Sequence, residues 1–436
     1  MKILLYGINF SPELTGIGKY TGEMAAWLVA QGHEVRVVTA PPYYPAWSVS
    51  AGYSGNRWQR EEWQGVQVWR CPLWVPQQPG GLKRVLHLAS FALSSLPVML
   101  RQALWRADVV WVVEPALFCA PTAWAVARLG GSKAWLHVQD FEVDAAFELG
   151  LLKGARLKRN VLAAERWLMR RFDVVSTISG KMLSLLLRKR VVPSRTEVFP
   201  NWVNLNHITP RPAAAGPSPF KAELGLPPDA VVALYSGNMG AKQGLEVMAE
   251  AAKLLHLSSS EPNRPLALAG TAQGTINNAA IFFVFCGNGA GRAGLQARCE
   301  GLPNVRFLDL QPMERLNDLL ALADMHLLPQ RADAADLVMP SKLTGMLASG
   351  RPVVATAQPM TELAAVVNGD TREACCGVVV LPEAPALLAQ AITDLAHHPA
   401  LRAQMGTAGR RYAEQHLDTD AVLGRFVERV RELLGR

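Results

Sequence analysis

Met339-Pro-Ser-Lys-Leu-Thr-Gly-Met-Leu-Ala-Ser-Gly-Arg-Pro-Val-Val-Ala-Thr356 reads as a short helix running into a buried strand. Leu343, Met346 and Leu347 recur at helical spacing, Gly350 supplies a stop, and Pro352 to Thr356 reads as a buried strand. Ser341 is placed to cap the first turn and Lys342 adds a positive charge beside it, a combination that suits a phosphate group. A capped helix that binds nothing carries the same pattern, so the segment predicts an α/β unit before it predicts a ligand.

The same alternation extends outward from this segment. Around it, strands are expected at Val231–Tyr235, Ile281–Phe285, Val305–Phe307, Met325–Leu328, Val353–Ala355 and Val378–Val380. The first half repeats the pattern at Lys2–Tyr6, Glu34–Thr39, Val66–Arg70, Val109–Val113, Ala134–Val138 and Val174–Thr177, with helices at Gly18–Gln31 and Ala120–Arg128. Uninterrupted apolar strands belong to parallel sheets covered on both faces. The expected architecture is α/β, with two tandem doubly wound, Rossmann-like domains at 1–204 and 205–415. Residues 416–436 are expected to form a helix that packs back towards the first domain. The polar, aperiodic stretch Ser258–Ala280 is an inserted loop with room for a short strand at Leu266–Ala269.

With 436 residues, half of them apolar, the chain can bury more than one core. Its six cysteines lack metal-binding or redox spacing and no signal peptide precedes the first strand, which points to the cytoplasm. No metal is expected, because His397-His398 lacks ligand spacing and Asp418-Thr-Asp420 reads as the cap of the last helix. The net charge is +8 and unevenly placed. Lys153, Arg156, Lys158, Arg159, Arg166, Arg170, Arg171, Lys181, Arg188, Lys189, Arg190 and Arg195 stand against only Glu165, Asp173 and, just beyond the stretch, Glu197. Without interleaved aromatics this is a poor nucleic-acid surface, and an anionic membrane surface fits it better, as does a merely solvated basic face. The apolar run Val85–Leu100 would span roughly 24 Å, short of a ~30 Å hydrocarbon core, so it reads as a buried helix or an interfacial one.

Glycine-rich junctions follow the first strand of each half. Gly16-Ile-Gly18-Lys19-Tyr20 opens a helix in the first, and Gly237-Asn238-Met-Gly240-Ala-Lys242-Gln243-Gly244 does so in the second. Such turns let backbone approach a ligand, and Lys242 can neutralise a diphosphate. A third cluster, Gly289-Ala-Gly291-Arg292-Ala-Gly294 with Asp309 beyond it, resembles a dinucleotide fingerprint, so an NAD(P)-dependent oxidoreductase is a competing reading. That fingerprint normally opens its domain, and this one follows a complete strand and helix. Arg292 at that position also suits a phosphate contact.

Taken with Gly32-His-Glu-Val35, Ser176-Thr-Ile-Ser179, Phe199-Pro-Asn-Trp202 and Pro340 to Val354, these motifs make the chain resemble a retaining glycosyltransferase of the two-domain GT-B class, family GT4. The resemblance covers nearly the whole length. More narrowly, Gly16 to Met24, Thr39 to Pro45, Glu142 to Ala145 and Lys242 to Glu246 are similar to the fucosyltransferases of colanic acid biosynthesis. The resemblance implies two domains facing a cleft and a nucleotide-sugar donor, GDP-fucose, held by the C-terminal domain. It implies a lipid-diphosphate-linked glycan acceptor held by the N-terminal domain at the inner membrane face, peripheral attachment there, and no separate cofactor.

The same resemblance distributes roles among the residues. Lys242, Arg292, Ser341 and Lys342 would stabilise the leaving diphosphate. Asn238, Gln243, Gly289, Pro340 and Leu343 would line the donor site. His137 and Asp140 would touch the transferred sugar or acceptor, with Glu142 and Asp144 as neighbours and Gly16, Gly18, Lys19 and Tyr20 nearby. The family's Glu-x7-Glu pair falls on Leu337 and Gly345, which leaves Asp336 and Glu362 as candidate replacements. Asn238 stands where the family has an arginine, and Gln243 where it has a lysine.

Overall fold

The computed structural model describes the chain apart from residues 78–79, 114–115, 142, 145–153, 241–242, 261–279 and 333–339. Contacts divide it into two compact units, Met1–Asn201 with Asp420–Arg436, and Trp202–Thr419. The expected strand at Leu266–Ala269 lies outside the described residues.

The strands of the first unit are β1 (Lys2–Tyr6), β2 (Glu34–Thr39), β3 (Gln59–Trp63), β4 (Val66–Arg70), β5 (Val109–Val113), β6 (Lys133–Val138), β7 (Val174–Thr177) and β8 (Thr196–Val198). Their order is β3-β4-β2-β1-β5-β6-β7-β8, parallel throughout except between β3 and β4. Central β5 is buried at every residue, as a continuous apolar run requires. The edge strand β3, Gln-Arg-Glu-Glu-Trp, has no apolar run and was not expected. It forms because Gln64 and Gly65, both at positive φ, turn the chain back on β4 in a two-residue hairpin.

The helix Gly81–Gln102 buries His87, Leu88, Phe91, Ser95 and Met99 and leaves Leu82, Leu86, Leu93, Leu96 and Leu100 exposed. At 3.6 residues per turn these five leucines fall within an arc of about 80° on the solvent side. None of the described helices is long and apolar enough to cross a membrane.

The second unit holds β9 (Val231–Ser236), β10 (Ile281–Cys286), β11 (Val305–Leu308), β12 (Met325–Pro329), β13 (Val353–Thr356) and β14 (Gly377–Val380). Their order is β11-β10-β9-β12-β13-β14, all parallel. The chain steps outward from β9 to β11 and then returns beside β9 with β12, so the strand order reverses there. Ligand crevices in such sheets open beyond the carboxyl ends of the strands at that reversal. The helix Lys342–Ala348 buries Leu343, Met346 and Leu347 against Leu320, Leu328 and Val353. Gly350, at φ 70°, ends the segment before β13.

Candidate active site

At the reversal the ends of β9 and β10 touch through two glycines. The Gly237 N–H donates to the Cys286 carbonyl at 2.9 Å, and a Cβ on Gly287 would lie 2.0 Å from the Gly237 carbonyl oxygen. Both take positive φ, 124° and 140°, which only glycine adopts without strain. Over this bare backbone lies the Lys342 side chain, whose Cε would meet a Cβ on Gly237 at 2.7 Å.

The Lys342 ammonium donates to the Tyr235 hydroxyl at 2.5 Å and to the Asn238 carbonyl at 3.2 Å, and stands 4.1 Å from the Tyr235 ring centroid. Tyr235 in turn donates to the Asn238 carbonyl at 2.6 Å. Burial pushes the amine down to about 7 and pushes the Tyr235 phenol up. Among the described residues no carboxylate pairs with Lys342, so the ammonium is held by neutral oxygens and a π face.

Other expected donor-site residues lie around this point with mixed roles. Asn238 supplies its carbonyl to Lys342, and its side-chain oxygen would stand 2.6 Å from a Cβ on Gly289, so that glycine allows the two loops to meet. The Gln243 amide oxygen is buried beside Gly240 with no hydrogen-bond partner among the described residues. Arg292 turns one guanidinium nitrogen onto the Gly287 carbonyl at 2.9 Å, the Asn288 amide oxygen and the Asp309 carboxylate at 2.5 Å. That pairing gives Asp309 a structural partner in place of the ribose contact a dinucleotide fingerprint would need, and Gly289 to Gly294 follows β10, not the domain-opening strand.

Two expectations are corrected. Ser341 sits inside the first turn at φ −61° and ψ −19°, and its hydroxyl makes no cap bond to the helix. Leu343 is a core residue, 2% exposed, with its N–H donated to the Pro340 carbonyl, which leaves it no group to offer a ligand. Pro340 borders the described segment just ahead of Lys342. Glu362 begins the helix Glu362–Asn368, which Thr361 caps, and with burial it helps push the Tyr412 phenol up to about 12. Lys242, Asp336 and Glu142 lie outside the described residues.

In the N-terminal unit the glycine junction is organised by a residue the motif reading passed over, Glu13. It is 5% exposed and accepts the Tyr43 and Tyr44 N–H groups, each at 3.0 Å, and the Asn9 amide at 2.9 Å. A Cβ on Gly18 would come within 2.4 Å of its carboxylate, so Gly18 makes room for Glu13 and not for a ligand. Gly16 faces Tyr44, Lys19 pairs with Glu23 at 3.6 Å, and Tyr20 is buried. Asp140 lies close enough to Tyr44 to add, after burial, to the rise of that phenol.

His137, at the end of β6, is buried in a chain of hydrogen bonds. Trp135 can only donate, and it donates to the Ser176 hydroxyl at 2.8 Å. The Gln139 oxygen can only accept, so His137 Nε2–H donates to it at 2.8 Å and the neutral ring accepts at Nδ1 from the Ser176 hydroxyl at 2.9 Å, while the Gln139 amide N–H donates to Asn201 at 2.7 Å. The ring also stacks on Trp111 at 5.4 Å. Burial pushes the imidazole down to about 4, so it is neutral. Both its nitrogens are engaged, and Gln139 and Asn201 are the partners that spacing alone did not reveal.

Residues 15–202 match the glycosyl transferase 4-like domain family and residues 218–412 match glycosyl transferases group 1. The chain is 43% identical, over 99% of its length and 100% of the relative's, to WcaI of Escherichia coli (strain K12), named as a colanic acid biosynthesis glycosyl transferase. Its fold resembles that of sucrose-phosphate synthase from Thermosynechococcus elongatus, with a TM-score of 0.73 at 16% identity, covering 100% of this chain and 99% of that one. Anabaena HepE, solved with UDP and glucose, has a TM-score of 0.67 at 14% identity and coverages of 99% and 100%. These matches leave the oxidoreductase reading without support. With both units matched and a full-length relative at this identity, the chain belongs to the GT4 glycosyltransferases of GT-B fold.

Proposed function

We propose that this glycosyltransferase moves fucose from GDP-fucose to a lipid-diphosphate-linked oligosaccharide in the synthesis of a colanic-acid-like exopolysaccharide, with retention at the anomeric carbon. The observation that carries the reading is Lys342, a buried ammonium with neutral partners only among the described residues, lying at the strand-order reversal. When the bond from the sugar C1 to the diphosphate breaks, negative charge collects on the leaving phosphate. A fixed cation in a poorly solvated site then interacts more strongly with the transition state than with the ground state. Arg292, held at the same loop, is the second positive group. In the N-terminal unit Asp140 is assigned to a sugar or acceptor hydroxyl, and neutral His137 to orienting Gln139. The WcaI relative supports the colanic acid assignment, and the motif resemblance alone supports GDP-fucose.

We extend the proposal to peripheral attachment at the cytoplasmic face of the membrane. The exposed leucine arc of the helix Gly81–Gln102 is flanked by Lys83, Arg84 and Arg101, the pattern of a helix lying in a bilayer interface. Arg166, Trp167, Arg170 and Arg190 border a separate cleft of about 320 Å³, and the Arg171 guanidinium lies 3.8 Å over the exposed Trp167 ring.

A thermal-shift panel of GDP, UDP, dTDP, GDP-fucose and NAD(P) tests the donor assignment. GDP and GDP-fucose should stabilise the protein, and Lys342→Ala should abolish both that stabilisation and transfer while keeping the fold. Stabilisation by NAD(P) with none by any nucleoside diphosphate would overturn the reading.

A further inference from the structure

The N-terminal unit holds a pocket of about 670 Å³ lined by none of the candidate active-site residues. The loop after β2 gives it Trp47, the turn before β3 gives Asn56, the segment after β4 gives Trp74 and Gln77, and the helix Gly81–Gln102 gives Ser90 and Ser94. Neighbouring β2 and β4 run parallel, so two of these loops leave their carboxyl ends, the side of such a sheet where ligands bind. The volume is that of an ordinary small-ligand site.

Both tryptophans are set by backbone constraints and not by core packing. Trp47 sits at φ 52°, a left-handed conformation that a bulky residue adopts only when its surroundings enforce it. The Ser50 N–H closes that turn on the Pro42 carbonyl at 2.9 Å, and the indole packs against Tyr43 and His87 with centroids 5.6 and 5.2 Å away. Trp74 is 46% exposed although its backbone is clamped on both sides. Its N–H donates to the Ser90 hydroxyl at 3.1 Å, and its carbonyl lies 2.7 Å from His87 Nδ1. An indole held still and left half in water is surface that folding has not used.

The polar lining is equally specific. Ser94 spends its hydrogen on the Pro72 carbonyl at 2.6 Å and Ser90 spends its own on the His87 carbonyl at 2.7 Å. Each oxygen therefore keeps lone-pair capacity to accept a hydrogen bond from a ligand hydroxyl. Asn56 and Gln77 add exposed amides that donate and accept. None of the described lining residues is charged, which argues against a phosphate or a lipid headgroup. An alkyl chain would bury these hydroxyls and amides without partners.

From the aromatic faces, hydroxyl oxygens, amides and lack of charge, we infer that this pocket binds a neutral pyranose ring of a glycan, its C–H face lying on the Trp74 indole. The assignment of that glycan to the acceptor rests on the transferase reading above. Ser90 and Ser94 lie roughly 100° around their helix from the centre of the exposed leucine arc, so the pocket adjoins the face proposed to meet lipid. A lipid-linked glycan would keep its tail on the leucines and a sugar unit in the pocket.

The test uses methyl β-D-galactoside, methyl β-D-glucoside, methyl α-L-fucoside, lactose and cellobiose as probes, read by ligand-observed saturation-transfer NMR and by tryptophan fluorescence. At least one saccharide should bind the wild-type chain, and its apparent Kd should rise roughly tenfold or more in Trp74→Ala and less in Trp74→Phe. Trp167→Ala, which changes an exposed indole outside this pocket, should leave binding unchanged. With a lipid-linked acceptor, Trp74→Ala should raise the acceptor KM and leave the donor KM alone. The inference falls if no saccharide binds, if Trp74→Ala binds as wild type does, or if octyl chains and not sugars protect Trp74. Retained GDP binding in that event shows that only the pocket assignment has failed, whereas a wild type stabilised by no nucleoside diphosphate removes the donor reading on which the acceptor assignment rests.

Discussion

Replacing Lys342 with methionine should make the ligand-free protein more stable while destroying its response to GDP. The amine falls from an ordinary 10.5 to about 7 because burial strips its hydration. At 1.36 kcal/mol per pKa unit, that difference of about 3.5 corresponds to about 5 kcal/mol against the charged form. The residue keeps some exposed surface, so this is an upper bound. Methionine also forfeits the bonds to Tyr235 and Asn238, about 1 kcal/mol each. At most about 3 kcal/mol of net gain remains, or up to roughly 6–12 °C in the melting of a domain of this size.

The gain has a defined pH profile. Below about pH 7 the lysine is charged in both folded and unfolded chains, and wild type bears the full burden. Between about 7 and 10.5 the unfolded chain binds the extra proton, so wild-type stability rises with pH and the advantage of Lys342→Met shrinks away. Thermal melts of both proteins from pH 6 to pH 10, with and without GDP, measure this directly. A methionine variant no more stable at pH 6 than wild type, or one still stabilised by GDP, would refute the picture of a buried cation waiting for an anion.

Other outcomes follow from neighbouring geometry. Glu13→Ala should cost about 3 kcal/mol in chemical denaturation, since it leaves the Tyr43 and Tyr44 N–H groups and the Asn9 amide without their acceptor. Gly287→Ala, whose Cβ would lie 2.0 Å from the Gly237 carbonyl oxygen, should cost more than about 4 kcal/mol and remove GDP stabilisation together with the melt of the C-terminal unit. Ser176→Ala should cost about 1–3 kcal/mol by orphaning the Trp135 indole N–H, readable as a lowered denaturation midpoint. Leu86→Glu with Leu93→Glu changes side chains 50% and 71% exposed, so folding should be nearly unaffected while cosedimentation with anionic vesicles is lost.

Much of the architecture was legible because parallel strands advertise themselves. Val109–Val113 is apolar at every position and Val353–Thr356 at all but its last, and each is buried at every position. The edge strand Gln59–Trp63 escaped because a half-exposed antiparallel strand needs no apolar run. At the site, chain neighbours misled: Leu343 follows Lys342 in sequence, yet successive helical residues point about 100° apart, one over Gly237 and the other into the core. Ser341 had the composition of a cap without its backbone angles. The partners of His137 and Arg292 were invisible because Ser176 and Asp309 arrive from other strands, 39 and 17 residues away. Glu13 was passed over because its role depends on Tyr43 and Tyr44, which reach it only after β2 is laid beside β1.

The hydrogen bonds from Trp135 to Asn201 have a single direction, and that direction constrains which sequences the N-terminal unit can tolerate. The Gln139 carbonyl oxygen can only accept, so the neutral His137 ring carries its hydrogen on Nε2 and must accept at Nδ1 from Ser176, which keeps a lone pair for the Trp135 indole N–H. Asn201→Asp keeps an acceptor at the far end and is compatible with the order. Gln139→Glu sets two acceptors face to face and is not, although it changes as few atoms. Gln139→Leu removes the acceptor that fixes the order, and a population of His137 in the opposite tautomer, visible by nitrogen NMR, then becomes possible. The Gln139 side chain thereby decides which hydrogen His137 carries.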